Sequence, residues 1–104
     1  MVLQYREEAR FRKVSAKELK RACKDALDEL RWNWEADGRW RLVAYVPRTF
    51  GSWGEWLIVE IYDEELVVVS HCRVRNQLVD WGKNRQNVDR FLNRVVDILD
   101  DERR

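Results

Sequence analysis

The only histidine of the sequence, His71, stands in the run Ser70-His71-Cys72-Arg73, next to one of the two cysteines. Imidazole beside a thiol is the commonest starting point for nucleophilic catalysis, because the ring nitrogen can take the thiol proton. The surrounding residues alternate as in a β-strand, however, and successive side chains of a strand point to opposite faces. His71 and Cys72 therefore cannot work as a nucleophile and its base. Ser70 and Cys72 share a face, but no second histidine is present to activate either. One histidine and two distant cysteines, with no Cys-x-x-Cys spacing, do not make a metal site. There is no Gly-rich nucleotide loop. Asp63, Glu64 and Glu65 fall at a turn, where carboxylates read as solubilising. Catalysis is thus the least favoured reading, with no catalytic residue, cofactor or metal expected.

Binding chemistry is better represented. Before and into a C-terminal helix come Arg73, Arg75, Gly82, Lys83, Asn84 and Arg85. Free amides at a helix N-terminus, a glycine that permits close approach and nearby cations can together hold an anion. The same segment, 73–87, with Trp81 and tyrosines near its arginines, offers stacking and charge to a single nucleic-acid strand. The competing reading needs no ligand: Asp80 and Asn84 cap the helix, and Trp81 packs beside Phe91. A second candidate is the loop containing Phe50, Gly51, Trp53 and Gly54. Aromatic rings in such a loop make a recognition rim, or else close one end of the core while the glycines satisfy turn geometry.

Bulk properties narrow the classes. A chain of 104 residues is one domain, spanning 1–104, rather than two. A 45% hydrophobic fraction with six tryptophans argues for a folded core despite 38% charged residues. A net charge of +1 gives no general basic field for nucleic acid or anionic lipid. Cys23 and Cys72 read as buried thiols, and a cytoplasmic location is expected because charge begins at Arg6 with no secretory pattern. No apolar run reaches the length of a transmembrane helix.

The elements that must position these residues follow from periodicity. Residues 3–14 read as a half-exposed edge strand, charged enough to discourage edge pairing. Ser15 and Glu18 form a capping box ahead of Leu19, Ala22, Cys23, Ala26, Leu27 and Leu30, one face of a helix. Trp32, Trp34 and Ala36 then alternate as a strand. Asp37-Gly38 supplies a tight two-residue turn, and Trp40, Leu42, Ala44 and Val46 form one face of the next strand until Pro47 ends it. Residues 55–62 and 65–73 make a further hairpin about Asp63-Glu64. A helix over 84–100 carries Val88, Phe91, Leu92, Val95, Val96 and Leu99 on one side. The fold class is α+β, a curved antiparallel sheet of about five strands with two helices, in the order β-α-β-β-β-β-α.

One pattern departs from an ordinary solvent-backed sheet. In 56–69, Leu57, Val59 and Ile61 face one way and Trp56, Ile58 and Tyr62 the other, and Leu66 and Val68 oppose Val67 and Val69. Strands apolar on both sides are covered on both sides. The cover is either strong curvature of the sheet on itself, a ligand cavity, or a partner. A partner is favoured, as a homodimer or with another protein, with Leu57, Val59, Ile61, Val67, Val69, Phe50 and Trp53 as interface candidates. The expected function is a non-catalytic binding or assembly domain. Binding of single-stranded nucleic acid or an anionic ligand through 73–87 is the alternative.

The segments Ser52-Trp53-Gly54-Glu55 and Asp80-Trp81-Gly82-Lys83-Asn84, with Asn87 following, resemble those of a group of small uncharacterised bacterial proteins and domains. The resemblance covers the C-terminal two thirds of the chain. It implies a bacterial origin and marks the second segment as common to the group, and it assigns no activity.

Overall fold

The computed structural model describes residues 4–48, 54–72 and 82–103. Its elements run β1 (Gln4–Arg10), α1 (Ala16–Glu29), β2 (Asn33–Ala36), β3 (Arg41–Val46), β4 (Glu55–Tyr62), β5 (Glu65–Cys72) and α2 (Lys83–Glu102). All strand pairs are antiparallel, in one open sheet ordered β1-β5-β4-β3-β2. This is the expected α+β order, with β1 at an edge as its charge pattern required. β1 alternates strictly between exposed and half-buried positions, with Tyr5, Glu7 and Ala9 turned inward. It ends at Arg10, before Phe11, and Lys13 adopts a left-handed φ of 64° in the turn that follows.

Two acidic residues fix that turn. The Asp63-Glu64 turn between β4 and β5, with Glu64 at φ 61°, reaches across to the β1–α1 connection. Asp63 Oδ1 accepts the amide of Ala16 at 2.8 Å, Glu64 Oε2 accepts that of Lys13 at 2.7 Å, and the Glu64 backbone pairs with Phe11 and Val14. These carboxylates are therefore structural caps rather than merely solubilising. The Ser15–Glu18 capping box forms beside them, the Glu18 amide donating to Ser15 Oγ at 3.2 Å. Donors at a helix start that have no partner within the helix are met in this way from two directions.

The β2–β3 connection differs from the expected two-residue turn. Ala36 and Leu42 are the last paired residues, so residues 37–40 lie outside the strands, and only Gly38 takes a positive φ, at 88°. The longer loop carries Trp40 past the ladder. Instead of joining Leu42, Ala44 and Val46 in the core, its side chain is 37% exposed.

Both helices lie on one face of the sheet. α2 packs over β1 and β5, α1 over β4 and β2, and the two run antiparallel, tied by Arg94 to Glu29 at 2.7 Å and Arg21 to Glu102 at 2.6 Å. Leu19, Ala22, Cys23, Ala26 and Leu27 of α1 and Val88, Phe91, Leu92, Val95 and Leu99 of α2 meet Leu42, Ala44, Leu57, Val59, Leu66 and Val68 of the sheet. The stripe of α2 is narrower than its apolar spacing implied, since Val96 is 41% exposed. No helix among the described residues is long and apolar enough to cross a membrane.

Candidate functional site

Strand register assigns every side chain of 55–72 to one of two faces. Glu55, Leu57, Val59 and Ile61 of β4 pair with Cys72, Ser70, Val68 and Leu66 of β5 beneath the helices. Leu57, Val59 and Ile61 are at most 2% exposed. Three of the interface candidates are therefore core residues, already covered by α1 and α2. Val67 and Val69 point the opposite way. The alternation separated the two sets correctly, but only the docking of the helices decides which set is left over.

The leftover face is organised in cross-strand rows. One row reads Asn33, Tyr45, Trp56, His71, Gln4 from β2 to β1, and the next reads Glu35, Val43, Ile58, Val69, Arg6. A third row places Val67 between Glu60 and Glu8. No described helix or strand packs across these rows, in which Val43, Tyr45, Trp56, Ile58 and Val69 are half-buried and Val67 is buried at 6% exposure. The centre of the second row is aliphatic, and in the first Tyr45 and Trp56 meet edge-on with centroids 5.5 Å apart. The first row ends in the neutral Asn33 and Gln4, and in the second row the charge changes sign from Glu35 at one edge to Arg6 at the other.

The Tyr45 ring also explains Gly54. That glycine has φ +100°, and a Cβ placed there would lie 2.7 Å from Tyr45 Oη and 3.0 Å from the ring. The Ser-Trp-Gly-Glu segment thus needs its glycine for both conformation and space. Phe50 and Trp53 fall outside the described residues, as do Arg73 and Arg75.

Beneath the helices, one end of the core is polar. Glu55, Ser70, Asn84 and Asn87 are all fully buried. Ser70 Oγ donates to Asn84 Oδ1 at 2.8 Å, and Asn84 Nδ2 approaches Cys72 Sγ at 3.5 Å. Asn87 Nδ2 donates to Glu55 Oε1 at 2.8 Å and to Ser70 Oγ at 3.2 Å. Both amide hydrogens of Asn87 are thereby used. The Asn87 Oδ1 atom is buried without a donor among the described residues.

Each of these four residues continues an apolar stripe by one step: Glu55 before Leu57, Ser70 after Val68, and Asn84 and Asn87 before Val88 and Phe91. That in-register position is the signal in the sequence for a buried polar cluster. It also corrects the reading of Asn84 as a cap. The N-cap of α2 is Gly82 at φ 74°, with no side-chain cap, and the Asn84 amide is spent inside the core.

Of the anion candidates, Lys83, Asn84 and Arg85 are among the described residues. Lys83 Nζ is 3.5 Å from Gln86 Oε1. Arg85 is exposed, 3.9 Å from Asp89, with its guanidinium over the Tyr5 ring. Asn84 points away from both into the core. The Tyr5 phenol, hydrogen-bonded to Glu7, titrates above its ordinary range. His71 lies on the open face beside Trp56, while Cys72 lies on the helix side, so the two are on opposite faces as alternation required. Cys23 is sealed between the helices and sheet, and burial pushes its thiol far up. Among the described residues no group of His, Cys, Asp and Glu has the arrangement of a metal site. No protein-family model matches the chain, and neither does any curated protein or solved structure.

Proposed function

We propose that this chain is a non-catalytic assembly domain that self-associates through the sheet face opposite its helices. The observation that carries this reading is the row Glu35, Val43, Ile58, Val69, Arg6, apolar at its centre and oppositely charged at its ends. A two-fold axis parallel to β4 and passing near Ile58 would lay β1 of one copy over β2 of the other. It would stack Ile58 on its own symmetry mate, Val43 on Val69, and Arg6 against Glu35. This is an isologous contact, in which one patch meets itself. Two sheets pack face to face about 10 Å apart with their strands nearly aligned, which suits such an arrangement.

The energetic weight lies at the centre of the row. Burying large aliphatic and aromatic side chains stabilises by about 1.5–3 kcal/mol each. The rim pair contributes at most about 1 kcal/mol and acts mainly on orientation. Mass measurement in solution tests the reading: a dimer that Ile58→Glu converts to monomer supports it, and a monomeric parent chain overturns it.

A further inference from the structure

A second surface, distant from that face in the sheet, has the character of a ligand groove. We infer that the groove between α1 and the β2–β3 loop binds single-stranded nucleic acid, with phosphates on its lysines and a base against Trp40. The hollow, about 390 Å³, is lined by Lys17, Lys20, Arg21, Lys24, Arg39 and Trp40, with no acidic side chain among them. Lys20 Nζ stands 5.4 Å from the Trp40 ring centroid and the Arg39 guanidinium 5.2 Å from it, while Lys24 lies 5.6 Å from the Trp34 ring. A second hollow continues from Lys17 and Trp40 to Tyr62. Its one acid, Asp63, is held by the Ala16 amide.

Two features set this cluster apart from an ordinary solvated helix face. Among the described residues Lys17, Lys20, Lys24 and Arg39 hold no carboxylate, which is also true of Arg12, Lys13, Arg31, Lys83 and Arg90, but these four gather around one hollow with Trp40. In addition, Trp40 and Tyr62, the two most exposed aromatic rings of the described residues, open onto the same groove. Lys17, Lys20 and Lys24 span roughly 10 Å along one side of α1, since a helix rises about 1.5 Å per residue. A cationic track beside exposed rings is how single strands are held without sequence reading. A bilayer surface suits the groove less well, because the exposed Trp40 ring is flanked by Lys20 and Arg39 and lines a cationic hollow. The overall charge of +1 conceals the site, since acids elsewhere offset it.

The test is fluorescence anisotropy of the full chain with a labelled oligothymidine of about 15 nucleotides, a length within the usual range of single-strand sites. Micromolar binding is expected at low salt, falling with a log–log slope near −2 for about three phosphates. Lys20→Glu with Lys24→Glu is expected to weaken binding by more than tenfold, and Trp40→Ala by roughly fivefold or more. Arg39→Glu, on the loop and outside α1, provides a charge variant that leaves the helix untouched. Circular dichroism checks that each variant is folded. Absence of binding by the parent chain overturns the proposal, as does undiminished binding by both charge variants. Equal binding of heparin with no effect of Trp40→Ala would show a polyanion surface only, and binding confined to anionic vesicles would show a lipid surface. Either result overturns it too.

Discussion

Asn87 of α2 donates its side-chain amide to the Glu55 carboxylate at the start of β4, 2.8 Å away and out of reach of water. That bond joins the Glu55 end of the Ser-Trp-Gly-Glu segment to the residue three places beyond the Asp-Trp-Gly-Lys-Asn segment, and fixes the second turn of α2 on the sheet. Asn87→Leu would remove this donor from the buried Glu55 side chain and is expected to cost about 2–3 kcal/mol. Urea unfolding would show this as a lower midpoint with an unchanged slope. Glu55→Gln keeps an acceptor facing Asn87 and is expected to cost less. Parent-like stability of Asn87→Leu would mean that the cluster does not hold α2 in place.

Gly54→Ala meets two obstacles at once, a φ of +100° and the Tyr45 side chain 2.7 Å from the new Cβ. The expected loss is about 2 kcal/mol, of which the backbone share is about 1 kcal/mol. In a Tyr45→Ala background the steric share disappears and only the backbone share remains. A double-mutant cycle measures the difference, because neighbouring sites are not additive.

The start of α1 carries a pH dependence. The backbone amide of Ser15 holds the Glu18 carboxyl below its ordinary value of 4.5. A depressed folded pKa contributes stability that is complete above the unfolded value and is lost as pH falls through the folded one. Ser15→Ala is expected to cost about 1 kcal/mol near neutral pH through the lost cap. Glu18→Ala removes the carboxylate that the residue 15 amide holds, so the gap in thermal midpoint between parent and Glu18→Ala should narrow as pH falls and Glu18 is protonated. A gap that stays constant well below pH 4.5 would remove Glu18 from the box.

Cys23 is enclosed among helix and sheet residues and its thiol is pushed far up by burial. It is expected to resist a thiol reagent in the native protein and to react only on unfolding, whereas half-buried Cys72 reacts first. In Cys72→Ala the labelling rate of Cys23 then reports global opening. Fast native labelling of that variant would contradict the burial.

Much of the fold was legible because local and global signals agree. The Ser15–Glu18 box, the helical stripe from Leu19 to Leu27 and the alternation of β4 and β5 each specify an element unaided. Three things were not. Asp63 and Glu64 look like solvated turn acids until the β1–α1 connection arrives beside them, which is a tertiary event. Asn84 and Asn87 resemble cap residues, although their place on the apolar stripe of α2 was available as a sign of burial. The alternation of β4 and β5 shows two apolar faces but cannot say which one the helices cover, so Leu57 and Val69 looked alike and lie on opposite sides.

The most direct test of the account is sedimentation equilibrium of the parent chain at micromolar concentration, alongside Ile58→Glu, Arg6→Glu, Glu35→Arg and the last two combined. A species of twice the 12.7 kDa chain mass is expected for the parent. Also expected are a monomer for Ile58→Glu, weakened association for each single charge reversal, and recovery in the double reversal. A parent chain that sediments as a clean monomer would contradict the assembly reading, and a dimer indifferent to Ile58→Glu would contradict its placement on the open face.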